Sequence, residues 1–191
     1  MAWIRTIPWD EADGVLREAY DWQAERLGAP AEFTQLGSLY PEITYERLRL
    51  YRAVEGCPSR LSGIERQAAA LATSAVNRTG HCASGLRLKL ADMGADPAWI
   101  EAVWRDPDTA RSGTARLDAV VQHAVALSRD PAAMTEAHLD ALREHGLDDL
   151  DLLDLNNMVA YYNYINRVVN GLGLRSEMKT VHEATQALPA T

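Results

Sequence analysis

Two side chains that can do chemistry stand next to each other at one place in this chain, His81 and Cys82, in the run Asn77-Arg-Thr-Gly-His-Cys-Ala-Ser-Gly85. A thiol reacts as its thiolate, and thiolates are favoured at helix N-termini and beside cations. If Thr79 is the N-cap, then Gly80, His81 and Cys82 are the first three helical residues, and the Thr79 hydroxyl can accept the Cys82 N–H. The sulfur would then sit at the positive end of a helix dipole, with His81 pushing in the same direction when protonated. The same pattern also describes a plain cap followed by a small buried residue, since cysteine is among the most buried residue types.

The elements that must position this corner read as helices. Ser62 and Glu65 make a capping box before an alanine-rich helix from about Gly63 to Asn77, whose small residues let a neighbour approach closely. Thr79-Gly80 breaks it, and a second helix follows through Leu86, Leu88 and Leu90 toward Gly94. Upstream, residues 1–9 read as extended and Asp10 as the cap of a helix with Val15, Leu16, Tyr20 and Leu27 as its apolar positions. Ala29 to Thr34 reads as a connection. A helix after Pro41 carries Ile43, Leu48, Leu50, Tyr51 and Val54. Downstream, Asp96-Pro97 opens a short helix, and Arg105 to Gly113 is a loop. Helices follow over 114–128 and from Thr135 to His145. A long last helix runs from about Asp148 to Asn170, with Gly171 expected in a left-handed cap. No stretch alternates with period two. The expectation is an all-α fold, a single-domain helical bundle over residues 1–178, with a loosely ordered tail over 179–191.

Composition narrows the function classes. The chain has 191 residues and a formal net charge of -8, so a polyanion such as nucleic acid is not an expected partner. No apolar run approaches the roughly 20 residues of a membrane-spanning helix. The stretch Met1 to Asp10 lacks the basic region and long apolar core of a secretory signal, so a cytoplasmic setting is expected. Two cysteines, Cys57 and Cys82, are too few for a disulfide framework. No two histidines stand at metal-ligand spacing with a carboxylate, and no strand precedes a glycine-rich phosphate loop, so neither a metal nor another cofactor is expected. On the last helix Asn156, Asn163, Asn166 and Asn170 share a stripe that can line a polar pocket or bond across an interface. Tyr161, Tyr162 and Tyr164 read as core or interface aromatics, and Tyr162 and Asn163 are the pair best placed to line a pocket. His123, on an apolar helix, reads as a hydrogen-bonded core residue.

At the His81-Cys82 corner the chain resembles the alkylhydroperoxidase D-like and carboxymuconolactone decarboxylase superfamily, in particular its peroxidase-related branch. Ile7-Pro8, the Tyr20 to Gly28 pattern, Leu61-Ser62 with Glu65-Arg66, Ser74 to Asn77, Leu127 to Pro131 and Tyr162 to Gly173 carry the likeness over nearly the whole chain. The resemblance implies an all-helical fold assembling as trimers or hexamers. It also implies a Cys-x-x-Cys pair whose second cysteine attacks peroxide while the first resolves the sulfenic acid, assisted by a glutamate and two histidines. Carried over, Cys82 matches the attacking cysteine and His81 the histidine before it. Thr79 stands where the resolving cysteine would be, Leu86 where the later histidine would be, and Gln67 where the glutamate would be. Gln67 cannot ionise. Glu65 cannot replace it, because two helical positions rotate a side chain by roughly 200°.

Three functions follow. One is a single-cysteine enzyme for peroxide or thiol redox chemistry at Cys82, rescued by an external thiol or by Cys57. A second is a non-redox decarboxylase, lyase or isomerase acting on a small organic metabolite, with His81 as acid or base and Gln67 and Asn163 orienting the substrate. The third is a non-catalytic member of the same fold.

Overall fold

The computed structural model describes residues 2–180, apart from the Arg26 side chain, and contains helices with no strand among the described residues. The helices are α1 (Gly14–Leu27), α2 (Glu32–Leu36), α3 (Pro41–Glu55), α4 (Gly63–Val76), α5 (Gly80–Asp92), α6 (Pro97–Arg105), α7 (Ala115–Arg129), α8 (Glu136–Glu144) and α9 (Asp149–Gly171). The all-α expectation holds.

Helix α4 is the axis of the packing. It is buried continuously from Glu65 to Ser74 and touches α5, α6, α7 and α9. Ala68, Ala69, Ala70 and Ala72 have no accessible surface, so all sides of the helix serve as contact faces, which only short side chains allow at close approach. Its start is the expected capping box: the Ser62 N–H donates to Glu65 at 2.7 Å and the Glu65 N–H to the Ser62 hydroxyl at 3.2 Å. Glu65 also pairs with Arg116 on α7 at 2.6 Å, so it faces away from Gln67 as its helical angle requires.

Between α4 and α5 the chain turns through Arg78, whose φ of 52° is the one left-handed value on a non-glycine among the described residues. Amides of α9 hold this turn. Asn170 donates to the Asn77 carbonyl and to the Thr79 hydroxyl, both at 2.9 Å, and Asn77 donates to Asn163 at 2.9 Å. Asn163 in turn donates to Ser128 on α7 at 3.0 Å. The asparagine stripe is therefore a clamp that fixes where α5 begins.

Elsewhere the boundaries moved for local reasons. Residues 9–11 form a short 3₁₀ turn and α1 starts only at Gly14, because Trp9 and Arg17 both donate to Asp21 and tie the turn to the helix side. The expected connection from Ala29 contains α2, which buries Phe33, Thr34 and Leu36. Ile43 and Leu50 are exposed, and Thr44, Arg47, Leu48, Tyr51 and Val54 form the buried face of α3 instead. Gly171 stays helical. The left-handed glycine is Gly173 (φ 74°), where a Cβ would collide with the Trp3 ring. Of the expected loose tail, residues 181–191 lie outside the described residues. No helix among the described residues is long and apolar enough to cross a membrane.

Candidate functional site

Cys82 occupies the first turn of α5, as expected, but its electrostatics run opposite to expectation. The residue is 7% exposed, and burial pushes its thiol up to about 12. Thr79 supplies no side-chain cap; its hydroxyl donates to the Asn77 carbonyl at 3.4 Å and accepts from Asn170. A helix end contributes about 0.3–1 kcal/mol toward the thiolate. The rise of Cys82 from its ordinary 9.0 to about 12 corresponds to about 4 kcal/mol the other way. Desolvation wins, and the resting thiol is protonated.

His81 does not turn toward Cys82. Its Nδ1 lies 2.7 Å from the Ser176 carbonyl, and a carbonyl only accepts, so Nδ1 carries the proton. Nε2 is buried without a hydrogen-bond partner among the described residues. Burial holds the imidazole below its ordinary value, against opposing contributions from the Ser176 carbonyl and Glu32. The ring lines a cavity of about 430 Å³ with Leu27, Pro30, Glu32, Ser176 and Lys179. The Ser176 hydroxyl donates to the Glu32 carboxylate, closing that wall.

The surroundings of Cys82 come from α3 and α9. Tyr161 and Tyr162 both feel the Cys82 sulfur and the Glu55 carboxyl group. Their rings stand edge to face at 5.7 Å, and Tyr161 packs on Tyr51 at 5.5 Å. Glu55 ends α3, where it accepts both bonds from the Gln67 amide at 3.2 and 3.3 Å and lies 3.9 Å from Lys89. Lys89 donates to the Tyr51 hydroxyl at 2.9 Å. Burial lifts Tyr51 and Tyr162 well above the phenol range, and Glu55 adds to both shifts. Burial likewise pushes Tyr161 up to about 12. The site is thus a closed set of neutral phenols and a neutral thiol beside one carboxyl group and one ammonium.

Of the residues singled out from sequence, Cys82, Tyr162 and Gln67 gather around this set. Thr79 and Asn163 belong to the asparagine clamp, Leu86 is core, and His81 faces its own cavity. Both cysteines are free, and Cys57 hydrogen-bonds Asp154 across the α3–α4 loop. Sequence reasoning missed Arg47, Glu55 and Lys89. Arg47, Tyr51 and Glu55 lie four residues apart on α3 and share one face, a polar stripe at core spacing that was the available signal. His123 is buried as expected, but among the described residues neither of its ring nitrogens has a hydrogen-bond partner.

Solved structures share this architecture. An uncharacterized peroxidase-related protein with an alkylhydroperoxidase AhpD core from Ralstonia eutropha JMP134 superposes with a TM-score of 0.84 at 20% identity, covering 99% of this chain and 98% of that one. An uncharacterized peroxidase-related protein from Silicibacter sp. TM1040 gives 0.79 at 22% identity, covering 97% and 95%. The debrominase Bmp8, as a Cys→Ala variant bound to 2,3,4-tribromopyrrole, gives 0.69 at 16% identity, covering 89% and 88%. No protein-family model matches the sequence, and no curated protein matches it significantly. The chain has the fold of the AhpD-like peroxidase-related proteins.

Proposed function

We propose that the protein is a divergent AhpD-like enzyme in which Cys82 alone attacks a peroxide or another small electrophile. The observation that supports this is that Tyr161 and Tyr162 lie within electrostatic reach of both the buried Cys82 and the half-buried Glu55 carboxyl group. A protonated thiol attacks poorly, so the step needs a base on the spot. Gln67 cannot ionise, and Glu55, reaching the Gln67 amide from a different helix, supplies the missing carboxylate.

With a peroxide ROOH, the Cys82 proton passes to Glu55 as sulfur attacks the outer oxygen. The O–O bond breaks, and Glu55 returns the proton to the leaving RO⁻. The products are Cys82 sulfenic acid and ROH. An external thiol then condenses with the sulfenic acid, releasing water and forming a mixed disulfide. A second thiol restores Cys82 and leaves as the external disulfide. The cycle calls on no second cysteine of the chain. The small, mostly aromatic surroundings of Cys82 suit a small organic substrate, and a neighbour of the same fold binds a halogenated pyrrole.

A second reading has an observation of its own. The unpartnered Nε2 of His81, beside a cavity of about 430 Å³, is placed for acid–base work on a non-redox substrate. One experiment separates the two. The protein is treated with hydrogen peroxide, trapped with dimedone and mapped by peptide mass spectrometry, for wild type, Cys82→Ser and His81→Ala. The thiol reading expects near-stoichiometric label on Cys82 in wild type and in His81→Ala. An unlabelled Cys82 beside a labelled Cys57 sinks it.

A further inference from the structure

A charge taken out of water has to meet an opposite charge or a ligand that brings one. Among the described residues two arginines are deeply buried, Arg47 and Arg66, each less than 10% exposed, and they are treated differently. Arg66 meets the Asp154 carboxylate at 2.9 Å and the carbonyls of Glu55 and Cys57 at 2.9 and 2.6 Å. Among the described residues Arg47 meets only neutral groups. Its Nη2 donates to the Thr34 hydroxyl at 3.0 Å, its guanidinium lies 4.2 Å from the Phe33 ring centroid, and it hydrogen-bonds Tyr161. It forms no ion pair among the described residues, and Nη1 is buried without a partner. The ammonium of the same site, Lys89, has Glu55 beside it. The guanidinium is the charge left unanswered.

Arg47 is also connected to the thiol. Tyr161 bonds Arg47 and feels Cys82, so an anion held at Nη1 and a reacting atom at sulfur both lie within reach of one phenol. One buried guanidinium edge without a partner among the described residues, carrying one charge, matches a carboxylate, which carries a single charge in a planar group, better than a dianion.

We propose that Arg47 anchors the carboxylate of a small monoanionic substrate whose other end is presented to Cys82. The presentation rests on Cys82 being the reacting atom; the anchor itself does not.

The test uses the full chain and benzoate, with the uncharged isostere benzamide and inorganic phosphate as comparisons. Benzoate is expected to raise the melting temperature in a dose-dependent way while benzamide does not. Arg47→Met is expected to abolish the benzoate shift and Arg47→Lys to keep part of it. A benzoate shift no larger than that of benzamide, a shift that survives Arg47→Met, or a response to phosphate alone overturns the proposal. Should Arg47→Met fail to fold, the wild-type pair of ligands and Arg47→Lys decide. The link to sulfur is read from alkylation. The ratio of iodoacetate to iodoacetamide rates at Cys82 is expected about tenfold above that at Cys57, with the excess shrinking in Arg47→Lys, because a held carboxylate raises local concentration. Benzoate binding through Arg47 with an inert Cys82 keeps the anchor and sinks the thiol reading instead. Equal ratios at a reactive Cys82 sink the presentation.

Discussion

Replacing Glu55 by glutamine should change how the Cys82 reaction depends on pH, and the size of the change follows from the burial of the thiol. With the thiol pushed up to about 12, only about one molecule in 10⁵ holds a thiolate at pH 7, against about one in 10² for a thiol at its ordinary 9.0. A Cys82 without help is therefore about 10³-fold handicapped, equivalent to about 4 kcal/mol. A positioned general base recovers about 10²–10⁴-fold, which is the size of the deficit. The groups facing Cys82 and Glu55 are Arg47 and Tyr51 from α3, Gln67 from α4, Lys89 from α5, and Asp154, Tyr161 and Tyr162 from α9. The three phenols are all held above their ordinary range and stay neutral through pH 9. The carboxyl of Asp154, raised by burial, is committed to Arg66 and Ser59.

The assay is pseudo-first-order oxidation of Cys82 by hydrogen peroxide between pH 6 and 9, read by dimedone trapping. Wild type is expected to give a nearly flat profile, because Glu55 rather than bulk hydroxide takes the proton. Glu55→Gln is expected to be slower by about 10² at pH 7 and to gain about tenfold per pH unit, as a thiol titrating far above the window must. The glutamine keeps the size of the side chain and can still accept from Gln67, so loss of packing does not imitate the result. A Glu55→Gln protein with the wild-type rate and a flat profile refutes Glu55 as the base. A wild-type profile that already climbs tenfold per unit refutes a resident base altogether.

Two stability outcomes are also expected. Arg66→Met leaves the Asp154 carboxylate buried without its counter-charge, and urea unfolding should show a loss of about 3–5 kcal/mol, most of it regained by adding Asp154→Leu; a single-variant loss below about 1 kcal/mol would show that the loop holds without the pair. Stability should fall on both sides of neutrality. Burial holds His81 and His123 below 6.5, so the unfolded chain binds more protons as pH falls through 6.5 and stability drops toward pH 5. Cys82 runs the other way: its folded value lies above its unfolded 9.0, so up to about 4 kcal/mol is lost between pH 9 and about 12. Urea midpoints at pH 5, 7 and 9.5 check both arms, and a midpoint that still rises at pH 9.5 contradicts the buried thiol.

The parts of this molecule that could be read from sequence are those decided within one turn of helix. The Ser62–Glu65 box and the Asp96 cap before Pro97 each stand where local chemistry placed them, and the alanines of α4 announced a helix packed on every side. The site was harder because its members are neighbours only in space. Arg47 and Glu55 are ordinary residues for a solvated helix face; their spacing around Tyr51 sets them on one face but does not say that the face is buried. Only α2, α4, α5 and α9 closing over α3 make it so. The sign of the Cys82 shift was lost for the same reason. Helix position is a local property worth less than 1 kcal/mol, and the burial that outweighs it comes from residues far along the chain. The same closure that silences the thiol also brings the Glu55 carboxyl group, set on another helix, up to the tyrosines that sense both groups. A thiol this deep needs a base close by, and on the proposed reading α3 is the helix that carries it.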